Sequence, residues 1–212
     1  RMVHRPSQRV IGALAVAGAV ALAGAIVLSR DAARGVDRPA SAALRGDIVW
    51  APAHRRAPAI DLGEANGRGF SLLGERGRVV LLTFLDSRCR ALCPLESRLL
   101  ARVARALPAA DRPDIVVVSV DPAGDTAASI RHARAELRGM RRITWLVGSH
   151  AGLARVWRAY GVVVKPVPGD IEHTSVLYLI DRRGDERVGM LFPFSPPSLS
   201  HDLRLLAAES VV

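Results

Sequence analysis

Val79-Val-Leu-Leu-Thr-Phe-Leu-Asp-Ser-Arg-Cys89-Arg-Ala-Leu-Cys93-Pro94 is the stretch on which the fold turns. Its first seven residues are apolar or β-branched without alternation, the pattern of a strand covered on both faces. Pro94 suits the first turn of a helix, where an amide proton has no partner to lose, and Leu95 to Leu107 continues at helical spacing. The two cysteines of the chain therefore fall where a buried strand meets its helix. Spacing i, i+4 puts both sulfurs on one side of a helical turn, close enough to chelate a soft metal or to form a strained disulfide. A gap of three residues closes too short a loop to stabilise a fold, so chemistry explains the pair better than stapling does. Thiolates select Cu(I) or zinc over hard cations. Two ligands do not complete a site, so a third has to come from elsewhere in the chain.

Outward from this junction, strand and helix signals alternate. Ile115 to Val120 reads as a second buried strand, ended by Asp121-Pro122. Asp125 or Thr126 can cap a helix running to about Gly139. Ile143 to Val147 follows as a strand and Ala151 to Tyr160 as a helix. Ser175 to Ile180 and Glu186 to Leu191 flank Asp181-Arg-Arg-Gly184 as a β-hairpin, and Ser198 to Ala208 closes the chain as a helix. A βαβα half followed by a ββα half predicts an α/β sandwich around a central mixed sheet. That order is the thioredoxin-like plan, with the cysteines at its first strand–helix junction. Arg131, Arg134, Arg138 and Arg141 recur at helical spacing and predict a charged stripe on one helix face.

The N-terminal part sets the compartment. Val10 to Leu28 is an unbroken apolar run, and at about 1.5 Å per residue it covers most of a hydrocarbon core of roughly 30 Å. Arg1, Arg5 and Arg9 precede it and favour a cytoplasmic N-terminus. It is read as a transmembrane helix, with a cleaved signal peptide as the alternative; both export the domain on its C-terminal side. The predicted organisation is residues 1–28 as cytoplasmic tail and anchor, 29–58 as tether with a short strand at Asp47 to Trp50, and 59–212 as the folded domain. The domain is expected on the extracytoplasmic side of the cell membrane, tied to it by a single pass.

The formal net charge of +10 does not predict nucleic-acid binding. Lys165 is the sole lysine and arginine supplies the remaining positive charge. No basic run is interleaved with aromatics and no RNA- or DNA-binding signature appears.

Three blocks in register resemble the Sco (SenC) family of copper-handling, thioredoxin-fold, membrane-anchored proteins. They are Phe84 with C-x-x-x-C-P five residues on; Val118-Ser-Val-Asp-Pro-Ala-Gly-Asp-Thr126; and Tyr160-Gly-Val162, Glu172-His173-Thr174 and Tyr178-Leu-Ile-Asp181 with Gly184. The resemblance spans Val79 to Gly184. It implies a copper site, for Cu(I) or Cu(II), built from Cys89, Cys93 and His173. It also implies a metallochaperone role rather than an enzymatic one, assisting assembly of the copper centre in subunit II of cytochrome c oxidase. The residues alone could not have selected His173. The chain departs from the family pattern at Asp86, where an aromatic is usual, and at Arg90 and Ala91, where Pro-Asp is usual.

Arg88 and Arg90 bracket Cys89, and neighbouring guanidinium groups favour thiolate. This supports the alternative function, a thiol–disulfide oxidoreductase in which Cys89 and Cys93 are the catalytic redox pair, acting on the oxidase subunit or another exported thiol or copper protein. His4, His54, His132, His150 and His201 are scattered without metal-binding spacing. Asp121 is read as a turn or cap residue that could approach the site, and Asp125 as a cap or turn residue.

Overall fold

The computed structural model describes residues 43–210, of which 44–210 belong to one compact unit. Its strands are β1 (Ile48–Val49), β2 (Asp61–Glu64), β3 (Gly69–Ser71), β4 (Val80–Leu85), β5 (Asp114–Ser119), β6 (Arg142–Val147), β7 (Val164–Val167), β8 (Asp170–His173), β9 (Val176–Ile180) and β10 (Glu186–Leu191). Its helices are α1 (Leu92–Ala106), α2 (Ala127–Glu136), α3 (His150–Ala159) and α4 (Pro196–Ala208). Eight strands form one mixed sheet in the order β1-β10-β9-β4-β5-β6-β2-β3, and β7 and β8 make a separate hairpin. β4, β5 and β6 run parallel, while β9 lies antiparallel against β4. This is the α/β thioredoxin-like architecture with β4 near its centre.

The absence of alternation in β4 and β5 has the expected cause, since every residue of both strands is buried. Leu81, Leu85, Ile115 and Val117 pack one face against Leu100 and Val103 of α1, Ile130 of α2 and Leu199 and Leu203 of α4. Leu82, Phe84, Val116 and Val118 pack the other face against Leu153, Val156 and Trp157 of α3 and against Tyr160. Parallel strands covered on both sides leave no polar face to carry a period-2 signal. Tyr160 is packed rather than reactive: its ring lies 5.9 Å from Phe84 and 5.5 Å from Tyr178, and its hydroxyl donates to the Pro58 carbonyl at 2.7 Å.

Several expectations need correcting. Residues 44–58, read as tether, belong to the folded unit. β1 pairs with β10 in the register Ile48↔Gly189, the Trp50 amide donates to the Arg187 carbonyl, and Arg55 is ion-paired with the buried Glu186. The apolar run 10–28, and with it the predicted transmembrane helix, lies outside the described residues. Among the described residues no helix is long and apolar enough to cross a membrane.

The arginine stripe is absent. α2 stops at Glu136, and Gly139 turns the chain with φ +121°. Arg138 and Arg141 therefore leave the helix. Arg134 donates to the Ile143 carbonyl, Arg138 to that of Ala135, and Arg141 pairs with Asp114 at 2.9 Å.

Two hairpins go beyond the elements expected from sequence. β2 and β3 extend the sheet edge beyond β6, and β7 with β8 stands apart from the sheet. Val164-Lys-Pro-Val167 is short and interrupted by Pro166, which cannot donate to a ladder, so the β7 signal is weak. Gly169, at φ +80°, supplies the left-handed residue that this tight turn requires.

Candidate metal centre

The loop after β4 carries Cys89, and α1 begins immediately beyond it. Ala91 caps the helix without a side-chain hydrogen bond, so the first amides lack the usual partner. One of them, the Cys93 amide, donates to Cys89 Sγ at 3.4 Å. Pro94 follows in the first turn, where it costs no intrahelical bond. Cys93 thus sits inside the helix and is 6% exposed, whereas Cys89 is half-buried in the loop; both are free thiols. Burial pushes the Cys93 thiol well above its ordinary range, with Cys89 and Glu96 adding to the effect.

His173 ends β8, and the hairpin brings it to Cys93. Its Nε2 lies 3.8 Å from Cys93 Sγ. On the other side of the ring, Nδ1 stands 3.2 Å from the Thr174 carbonyl. A carbonyl can only accept, so Nδ1 carries the proton and Nε2 presents a lone pair to the sulfur. Burial lowers the His173 pKa, which keeps the imidazole neutral and able to bind a metal. Thr174 also fixes the hairpin base, accepting from the Val163 amide at 3.2 Å and donating its own amide to the Val163 carbonyl at 3.0 Å. Glu172, beside His173, is exposed on the hairpin.

In front of the sulfurs opens a cleft of about 1240 Å³, lined by Cys89, Arg90, Asp121, His132, His150 and Asp170 among others. Cys93 and His173 are not among its lining residues. The structure therefore brings all three residues into one region but gives Cys89 alone a wall of the cleft. Among the described residues no group of three or more His, Cys, Asp or Glu side chains stands ready to hold a metal ion. The donor chemistry nevertheless suits a soft ion, with two sulfurs and one neutral imidazole nitrogen. Metal–sulfur and metal–nitrogen bonds of about 2.0 to 2.3 Å put two ligands of one ion roughly 3.5 to 4.3 Å apart, a range that includes the Cys93–His173 separation.

Two features at this site, the pairing of Arg88 and the buried Glu96, escape a reading of the sequence. Arg88 does not act on Cys89 as an isolated charge, because its guanidinium is paired with Asp121 at 2.6 Å. Asp121 is both a turn residue, accepting from the Gly124 amide at 3.0 Å, and a member of the cleft wall. Glu96, 1% exposed on α1, accepts from Thr83 Oγ1 at 2.8 Å. Its spacing of three from Cys93, which sets both on neighbouring positions of one helix face, was the available signal. Asp125 is no helix cap, a role that falls to Thr126, which accepts from the Ser129 amide in a reciprocal capping box.

Residues 56–203 match the SCO1/SenC family model. The mitochondrial SCO2 homolog of Bos taurus is 30% identical over 161 residues, covering 67% of this chain and 60% of that protein. The chain thus spans about three-fifths of that relative's length. A putative copper-binding protein of Stutzerimonas stutzeri is 27% identical over 150 residues, 68% of this chain and 72% of its own. Among solved structures, Bradyrhizobium japonicum ScoI with copper bound is 26% identical and superposes with a TM-score of 0.60, covering 71% of this chain and 99% of its own. The family match takes in both cysteines, His173 and nearly the whole sheet, and the chain belongs to the SCO1/SenC family.

Proposed function

We propose that this chain is an extracytoplasmic copper chaperone that carries copper on Cys89, Cys93 and His173 and delivers it to the copper-centre subunit of cytochrome c oxidase. Residues 1–28 would hold it at the membrane, and the compact unit from Leu44 onward would do the work. The observation that carries the reading is the pairing of Cys93 Sγ with the unprotonated Nε2 of His173 at 3.8 Å. Two thiols and an imidazole prefer copper to hard cations. Cys89, whose Sγ accepts from the Cys93 amide at 3.4 Å, would supply the third ligand beside Cys93 and His173. Loading must also displace the thiol protons, so copper affinity should fall as pH is lowered.

The test is an anaerobic titration of the reduced chain with Cu(I) against a competing chelator, followed by desalting and metal quantification. One copper per chain is expected, with affinity reduced about tenfold or more in His173→Ala. Unchanged affinity in that variant would remove His173 from the site.

The same cysteine pair supports thiol–disulfide exchange as the second reading. Cys89 faces the cleft while Cys93 is buried one turn away, an arrangement of attacking and resolving sulfurs. A chain that exchanges disulfides with the oxidase subunit yet retains no copper on desalting would favour this reading over delivery.

A further inference from the structure

α1 buries a stripe of Cys93, Glu96, Leu100 and Val103 at helical spacing. One member of that stripe is a carboxylic acid, and a carboxyl group is seldom buried without a cation beside it. Among the described residues Glu96 has no ion pair; its partner is the Thr83 hydroxyl at 2.8 Å. The same hydroxyl lies 3.3 Å from the Val176 carbonyl. This three-group chain is satisfied with or without a proton on Glu96. When Glu96 is ionised, the Thr83 hydroxyl donates to it. When Glu96 is protonated, its own hydroxyl donates to Thr83 Oγ1, and the Thr83 proton turns to the Val176 carbonyl.

Cys93, three residues back on the same face, is the neighbour that senses which state holds. Negative charge on Glu96 opposes thiolate formation at Cys93. Loading Cu(I) on two thiols and a neutral imidazole displaces two protons and leaves the centre with one net negative charge. Setting that charge beside an ionised Glu96 would place two like charges in one buried region. The other ionisable groups facing Cys93 are poor sinks for a proton. Cys89 and His173 are the other two proposed ligands. Asp86 accepts from the Arg88 amide at 2.8 Å and lies near the Arg88 charge, and both favour its carboxylate.

We infer that Glu96 is the charge-balancing proton acceptor of the cysteine pair: as Cys89 and Cys93 become thiolates, Glu96 takes up one of the two protons displaced and the other leaves to solvent. Before loading, the region holds two thiols and the Glu96 carboxylate. After it, the region holds two thiolates on one Cu(I) and a protonated Glu96. One negative charge is present in both states, and no bond to Glu96 is made or broken except that to the proton. The inference rests on the proposed copper function for its trigger. Glu96 acts through Cys93 and does not touch the cargo.

The experiment counts protons released per Cu(I) bound by the reduced chain, using a pH indicator in weak buffer. Burial pushes the Glu96 pKa up to about 7, so the group already holds its proton at pH 5 and is mostly ionised at pH 8. Wild type and Glu96→Gln should therefore release equal numbers at pH 5, and at pH 8 the variant should release about one proton more. The infrared carbonyl stretch of a protonated carboxyl should also grow when wild type is loaded at pH 8, a measurement that needs no variant to fold. Equal counts at pH 8, a difference that persists at pH 5, or no growth of the infrared band overturns the inference. Ag(I), a soft ion that also takes two thiolates, is run in parallel. A chain that binds Ag(I) but retains no copper fails the copper reading while the Ag(I) proton count still decides this one, and retention of neither ion overturns both.

Discussion

Thr83 on β4 donates its hydroxyl to the carboxyl of Glu96 on α1 at 2.8 Å, in an interior where Thr83 is 0% and Glu96 1% exposed. This bond ties the strand before the cysteine loop to the helix after it. No ion pair with Glu96 is found among the described residues, and its pKa is pushed up to about 7 by burial, with the Thr83 bond acting in the opposite direction. A carboxyl held this way is neutral through most of the acid range, and it lies one turn beyond Cys93.

The folded state therefore keeps a proton on Glu96 that the unfolded chain loses above about pH 4.5. Its contribution to stability is complete below that pH and is lost as pH rises through about 7, with a magnitude of order 3 kcal/mol. Glu96→Gln should remove this component, so the difference in unfolding free energy between variant and wild type should shift in the variant's favour from pH 5 to pH 8. Denaturant melts across that range check it; a difference independent of pH would show that Glu96 does not titrate there.

Cys89 should be the sulfur that reacts first. Cys93 is buried and its thiol is held up by burial, whereas Cys89 opens onto the cleft. Alkylation of Cys93→Ser and Cys89→Ser at neutral pH should differ by about tenfold or more in favour of the variant that retains Cys89. The reason is access rather than the flanking arginines, since Arg88 is committed to Asp121. Faster labelling of Cys93 would contradict the burial.

Gly124→Ala should break the Arg88–Asp121 pair, because the added methyl group occupies its seat. The expected loss of stability is about 1 to 3 kcal/mol, the usual range for forcing a group into filled space. Arg88→Ala in the same chain should recover part of it, as the guanidinium is one of the two groups displaced. A thermal melt of the single and double variants decides this. Equal melting temperatures for wild type and Gly124→Ala would mean that the loop relaxes at no cost.

Much of this protein is legible along the chain. Val79 to Leu85, Ile115 to Val120 and Ile143 to Val147 announce themselves because buried parallel strands need apolar residues on both faces. Thr126 marks a helix start because an exposed amide row calls for a nearby oxygen. Cys89 and Cys93 stand out because their spacing alone places them on one turn. These are local constraints, and local sequence states them.

What only the tertiary structure decided lies between distant residues. His173, which the family resemblance alone picks out along the chain, stands 80 positions beyond Cys93, on a hairpin of two four-residue strands too short to show a period. Composition cannot say which way its ring faces; the Thr174 carbonyl does. Arg88 reads in sequence as an activating charge beside Cys89, and becomes in space the partner of Asp121. A side chain's charge is a property of the residue, but the group it neutralises is chosen by whichever partner the fold brings within about 3 Å, and that choice is made by the packing of β4 and β5 side by side.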